Sequence, residues 1–315
     1  MLSLLMLPLI VFGYENIALN KFTWQLNPYE NEEIADYLNS SKAVDGLKTN
    51  LSFSGYQCTI SASMKYMAIW RLYLRDILGI HHITIHYRTD NMEWGPNNEN
   101  VGKFLGFSVY VSNLTLLEDR VLCFHDFHFD KYTIPAVITL NCTMHGRYIE
   151  FQNNRTRSSF PADYSRYASN DLCEFEVYGC SSPSVYGENC SNPCPAQCKH
   201  HRCHIETGHC FGCNDGYRGL RCEHHCATNK YGTDCAEDCG HCVNGRICNP
   251  FNGFCYAGCE IGYYGSQCKK ECINGSYGKN CNNTCGHCHR ACNKITGECP
   301  HGCEPGYEGV FCNKI

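Results

Sequence analysis

The sequence predicts an all-β protein: an N-terminal β-sandwich of the jelly-roll type, followed by three small disulfide-rich repeats. Three observations predict it. Cysteine density changes abruptly near residue 180, from four cysteines in 14–179 to 24 in 180–312. The later cysteines recur in three sets of eight. The earlier part carries short runs in which apolar and polar residues alternate, the period of a β-strand.

The chain opens with MLSLLMLPLIVFG, an apolar run ending in small or modest residues at the positions a signal peptidase reads. It lacks a positively charged start, yet it reads as a secretory signal at 1–13, with a buried N-terminal strand as the competing reading. The run is too short to span a bilayer, and no later segment approaches ~18 consecutive apolar residues. The expectation is a secreted chain, or the ectodomain of a receptor whose anchor lies beyond Ile315. Eight N-x-[ST] sequons support the secretory route: Asn39, Asn50, Asn113, Asn141, Asn154, Asn189, Asn274 and Asn282. A net charge of −5 without any basic run points away from nucleic acid and anionic membrane surfaces.

Residues 14–179 are the first domain. Phe107-Ser108-Val109-Tyr110-Val111 alternates, as do Ile83, Ile85 and Tyr87 against Thr84, His86 and Arg88. Cys173, Phe175 and Val177 share one face of a strand, with Glu174 and Glu176 on the other. One stretch, Glu32 to Leu38, reads as a short helix. Several strands in some 165 residues suggest a sandwich, of the jelly-roll kind.

The repeats occupy 180–222, 226–268 and 272–312. Their sets begin at Cys180, Cys226 and Cys272, 46 residues apart both times, and a fixed period of this size means a linear array of small units. The first set is Cys180, Cys190, Cys194, Cys198, Cys203, Cys210, Cys213 and Cys222. The second is Cys226, Cys235, Cys239, Cys242, Cys248, Cys255, Cys259 and Cys268; the third is Cys272, Cys281, Cys285, Cys288, Cys292, Cys299, Cys303 and Cys312. Tyrosines and glycines keep the same beat. Tyr186, Tyr231 and Tyr277 precede the second cysteine of each set, and Gly208, Gly253 and Gly297 precede the sixth. A unit of this size buries too little apolar surface to fold unaided, so disulfides must substitute for a core. Spacing alone leaves 105 pairings open in each unit.

These cysteines have two rival uses. Cys239-Gly240-His241-Cys242 and Cys285-Gly286-His287-Cys288 have the spacing of a dithiol redox centre. The first set has Cys194-Pro-Ala-Gln-Cys198 in that place, however, and no βαβ pattern surrounds any of them. Stretches such as CKHHRCHIETGHC offer His and Cys at zinc-ligand distances. Against zinc, the histidines do not recur in register as the cysteines do, and an oxidising compartment favours bridges.

The eight-cysteine pattern resembles the laminin-type EGF-like repeat, in the register of multiple-EGF-domain engulfment receptors and class F scavenger receptors. The resemblance implies bridges first-to-second, third-to-fifth, fourth-to-sixth and seventh-to-eighth in each set. The first domain carries ENIALNK, AVDG at 43–46, IWRLYL at 69–74, HGRYIEF at 145–151 and LCEFEVYGC at 172–180. In that order these motifs resemble the F-type lectin (fucolectin) branch of the galactose-binding-like jelly rolls. That resemblance implies bridges Cys58–Cys173 and Cys123–Cys142.

Members of that family hold a terminal sugar through one histidine and two basic residues around an R-x-D motif. Here Arg88-Thr89-Asp90 matches, while Ser61 stands at the histidine position and Gly95 at the second basic one. Arg88 can donate a fork of hydrogen bonds to vicinal hydroxyls, and Trp94 can stack on a sugar face. The competing reading of Arg88 is a strand-end residue paired with Asp90. The resemblance also implies one structural calcium, with Asp45 and Glu174 at its acidic positions and Lys42, Leu47 and Gln57 at others. Alternatively, Asp45 only ties its turn to backbone N–H groups.

No nucleophile elbow, phosphate loop or H-E-x-x-H is present, so no enzymatic activity is expected. The leading expectation is an extracellular recognition protein resembling scavenger and engulfment receptors. A lectin-like head binds cell-surface or microbial glycans or glycoproteins, and EGF-like repeats form a stalk. The alternative is a secreted matrix or adhesion protein whose head binds extracellular proteins.

Overall fold

A computed structural model describes residues 13–115, 119–157, 159–243 and 245–315. The expected leader, apart from Gly13, lies outside the described residues.

The N-terminal fold is built from seven antiparallel strands. These are β1 (Glu15–Asn16), β2 (Phe22–Gln25), β3 (Met67–Tyr87), β4 (Phe107–Ser112), β5 (Val121–His125), β6 (Val137–Asn154) and β7 (Leu172–Cys180). Their order is β1-β7-β3-β6-β4-β5, with β2 also paired to β3. The two long strands organise the sandwich. Residues 70–73 of β3 pair with β2, whereas residues 79–87 pair with β7, and the β3–β6 register shifts between Tyr73 and Leu78. Arg75, inside that break, has φ +75°. Such an irregularity bends a strand and lets it serve two layers. Trp70, before the break, accordingly meets Phe175 of β7 with ring centroids 4.9 Å apart.

The core between the layers is aliphatic and aromatic, with Phe104, Phe107, Phe151, Ile83, Ile85 and Tyr87 fully buried. The expected alternation is present at 83–87 and 107–111. On β7, Cys173, Phe175 and Val177 face this core. Glu174 and Glu176 face the other way and are buried as well, because residues 40–48 cover that side: the Gly46 N–H donates to Glu174 and the Lys48 ammonium pairs with Glu176. The helix expected at 32–38 is a 3₁₀ turn at Ala35–Leu38, followed by a second at Ser40–Val44. A segment so short forms too few hydrogen bonds to sustain an α-helix.

The chain divides into two compact units. One runs through Cys194 and adds Cys203–Gly208; the other comprises Pro195–Arg202 and His209–Ile315. The first unit thus contains the start of the first repeat as well as the sandwich. In it Ile205 is buried against Gly79, and the His81 Nε2 lies 3.0 Å from the Glu206 carboxylate.

Fourteen disulfides consume every cysteine. Cys58 joins Cys173 and Cys123 joins Cys142. In the first set the bridges are Cys180–Cys190, Cys194–Cys203, Cys198–Cys210 and Cys213–Cys222. The second set has Cys226–Cys235, Cys239–Cys248, Cys242–Cys255 and Cys259–Cys268. The third has Cys272–Cys281, Cys285–Cys292, Cys288–Cys299 and Cys303–Cys312. This is the cysteine state of an oxidising compartment.

The two CGHC motifs therefore hold no dithiol, and they have a structural logic. A Cβ on Gly240 would lie 2.0 Å from the Gln267 carbonyl oxygen, and one on Gly286 would lie 2.0 Å from that of Phe311. The glycine is where the backbone before the eighth cysteine passes. The histidines that follow do share a register, contrary to the sequence reading: His241 stacks on Tyr263 at 3.7 Å and His287 on Tyr307 at 3.8 Å. Their Nδ1 atoms lie 3.2 and 3.4 Å from Glu260 and Glu304. The Tyr–Gly beat has a similar origin. Gly253, at φ +74°, lies under the Tyr231 ring, where a Cβ would come within 2.6 Å of it. Among the described residues the one three-ligand cluster of metal-binding type is Cys288, Cys299 and Cys312, all spent on bridges.

Candidate ligand-binding cleft and carboxylate pair

β3 ends at Tyr87, and the next three residues turn the chain sharply. Asp90 and Asn91 both take the left-handed conformation, at φ +54° and +55°. The turn is pinned by the Thr89 and Asp90 N–H groups, which donate to the Leu51 carbonyl at 3.1 and 2.9 Å. Asp90 in turn accepts from the Phe53 N–H at 2.9 Å and from the Asn100 amide at 2.8 Å.

This geometry sets Arg88 and Asp90 face to face. Arg88 Nε and Nη2 each donate to one Asp90 oxygen at 2.8 Å, a bidentate fork. Nη1 donates to Asp171 Oδ2 at 3.2 Å, and the guanidinium lies over the Phe53 ring, 5.3 Å from its centroid. Burial works against the charge on Arg88, but the Asp90 hydrogen bonds and the Asp171 and Asp90 charges outweigh it and hold the guanidinium more firmly protonated. Of its five N–H groups, three are engaged in these bonds and two are left to donate elsewhere.

Arg88 lines a cleft of about 410 Å³, together with Ser61, Lys103, Arg166, Tyr167 and Asp171. That volume is in the range of small-molecule sites. Asp171 is its buried floor. Its Oδ2 takes the Arg88 hydrogen bond and lies 4.0 Å from the Lys103 Nζ, while Oδ1 has no hydrogen-bond partner among the described residues. Burial raises the Asp171 carboxyl above its usual range, against the opposing pull of Lys103 and Arg88. Ser61 Oγ is turned inward and accepts the Asn170 N–H at 3.2 Å.

Not every expected residue comes here. Trp94 is a correction: its Nε1 donates to the Ile134 carbonyl at 2.7 Å and its ring packs edge-on against Tyr87 and Phe104. The indole belongs to the core rim, because an inward aromatic with its N–H satisfied is stable there. Gly95 is not among the residues lining the cleft, and a Cβ on it would meet nothing within 4 Å. Lys103, Arg166 and Asp171, which sequence reasoning missed, reach the cleft from the one-turn helix Val101–Phe104 and from the segment before β7. No local motif marks them.

A second constellation joins Asp45 and Glu174. Asp45 Oδ1 accepts the Leu47 N–H at 3.0 Å, and its Oδ2 lies 3.5 Å from the Lys42 Nζ. Both Glu174 oxygens accept the Gly46 N–H, at 3.2 and 3.1 Å. Burial, and then the Asp45 charge, raise the Glu174 carboxyl to about 7. Gln57 Oε1 accepts the Thr49 and Asn50 N–H groups at 2.9 and 2.8 Å, closing the neighbouring loop. Asp45 and Glu174 meet at one turn with Lys42 as the cation beside Asp45, and their carboxylates are hard oxygen donors of the kind a calcium-type cation takes. None of the eight sequon asparagines is buried.

No protein-family model matches this chain, and no curated protein does. Solved structures do match, over about half of this chain. A fucose-binding module of Streptococcus pneumoniae is 19% identical, with a TM-score of 0.39, and the match covers 53% of this chain and 96% of that one. A fucolectin from serum of the striped bass, Morone saxatilis, is 20% identical, with a TM-score of 0.40; the match covers 53% of this chain and 50% of that one. A chitosan-binding module from a Paenibacillus chitosanase/glucanase is 17% identical, with a TM-score of 0.36, covering 53% of this chain and all of that one.

Proposed function

We propose that this is an extracellular recognition protein of the scavenger- or engulfment-receptor kind. Its N-terminal domain binds a cell-surface or microbial glycan in the Arg88 cleft, and the disulfide-rich repeats are EGF-like spacers. The observation that carries the reading is Arg88 itself. A guanidinium fixed on two sides by Asp90 and Asp171, with two donors to spare, lines a cleft with Ser61, Lys103 and Arg166. A preset fork of donors suits the vicinal hydroxyls of a sugar. Tyr29 and Tyr167 also line the cleft and supply its aromatic surface. The test is a glycan array with the secreted full-length chain, in calcium and then in chelator. Binding that Arg88→Lys abolishes supports the reading, because lysine keeps the charge and loses the fork. A blank array from folded protein removes it and favours protein partners.

Asp45 and Glu174, with backbone oxygens of the same turn, would hold one calcium ion, which neutralises the pair when bound. In chelator, Glu174 at about 7 keeps its proton in the folded chain after the unfolded chain, with its ordinary value of 4.5, has lost it. Its contribution to stability is then full below pH 4.5 and disappears as pH rises through 7. Calcium should remove that decline and raise the Tm at pH 8, whereas Glu174→Gln should respond to neither. A wild-type Tm at pH 8 unmoved by millimolar calcium would exclude the ion.

A further inference from the structure

Beside the Arg88 cleft lies a second pocket of about 390 Å³, which shares Ser165 and Arg166 with it. Its lining includes Arg155, Arg157 and Arg166, and no acidic side chain. The three arginines differ in what they can do. Arg155 is buried, and its guanidinium is spent on the carbonyl oxygens of Ser165, Asn154, Gly102 and Leu105. It contributes a fixed positive charge with no carboxylate within 4.0 Å among the described residues. Arg157 and Arg166 are exposed, and neither has a carboxylate within 4.0 Å among the described residues. The nearest acid in sequence, Asp163, is engaged by Lys131 at 3.5 Å. Arg166 also lies over the Tyr167 ring at 5.3 Å, which leaves the edge of its guanidinium free to form a fork.

This local excess of cations stands against a chain whose net charge is −5. Charge complementarity identifies the occupant: an anionic group held in a two-pronged guanidinium grip. Resting on the glycan reading above, we infer that the Arg155–Arg157–Arg166 pocket is an anion subsite, and that the preferred ligand is an acidic glycan. The hydroxyls of one sugar residue meet Arg88, and a carboxylate or sulfate on the same or an adjoining residue meets Arg157 and Arg166.

The experiment measures dissociation constants of the full-length chain for matched glycans on one backbone: neutral, carboxylated and sulfated. It is run at low and at physiological salt, with wild type and with Arg157→Gln, which changes a residue that lines the second pocket and not the Arg88 cleft. The expected result is binding of at least one acidic form about tenfold tighter than its neutral counterpart, with a preference that shrinks as salt rises. Arg157→Gln should lose most of that preference and keep its affinity for the neutral form. The arm that responds, carboxylate or sulfate, names the group. Equal affinity for neutral and acidic forms overturns the subsite and leaves the Arg88 reading standing, as does a preference that survives the Arg157 substitution. A folded chain that binds none of the three overturns both.

Discussion

Replacing Cys58 and Cys173 together by alanine should lower stability by about 5 kcal/mol, the largest effect of any bridge in the N-terminal fold. The two residues are 115 apart in sequence, and cross-linking them removes more freedom from the unfolded chain than any of the shorter bridges does. Both are fully buried, in a small cluster with Leu38 and Ile60. Their loss also unties β7 from the loop that carries Ser61. The Cys123–Cys142 bridge spans only 19 residues, and its double alanine variant should lose about 3 kcal/mol. Thermal unfolding of the two variants side by side checks the ordering; a larger loss for the Cys123 pair would contradict it.

Arg88→Ala should cost about 3–5 kcal/mol, because it strands Asp171 in the interior with only Lys103 near it. The pH dependence has a definite sign. Asp171 is already raised by burial, and without Arg88 it rises further. The folded variant therefore holds a proton that the unfolded chain has released, and stability falls as pH rises through the carboxyl's folded-state value. The deficit should be smaller at pH 5 than at pH 8. Asp171→Asn in the same background should recover much of it by removing the uncompensated charge. If Arg88→Ala matched wild type in chemical denaturation at pH 8, Arg88 would not be the counterion of the cleft floor.

Much of the fold was legible because it rests on local periodicity. Strands at 83–87, 107–111 and 173–177 announce themselves by alternation, and the repeats by the beat of their cysteines, tyrosines and glycines. The bend in β3 was not legible, since no local pattern marks Arg75-Asp76 as a hinge within a 21-residue strand. The burial of Glu174 was equally hidden, because the turn that covers it comes from 128 residues earlier. At the cleft, Arg88 and Asp90 were visible because they match the R-x-D motif that the fucolectin resemblance supplies. Lys103, Arg166 and Asp171 depend on where three separate segments meet. Trp94 was read as a sugar-stacking ring, and only its hydrogen bond to the Ile134 carbonyl shows it at the core rim.

If ligand binds in the Arg88 cleft, hydrogen–deuterium exchange of the chain, with and without a saturating array-selected glycan, should show it. New protection is expected only at residues 61–64, 88–91 and 165–171, and is expected to be absent in Arg88→Lys. Protection confined to the repeats, with the cleft segments unchanged, would contradict it.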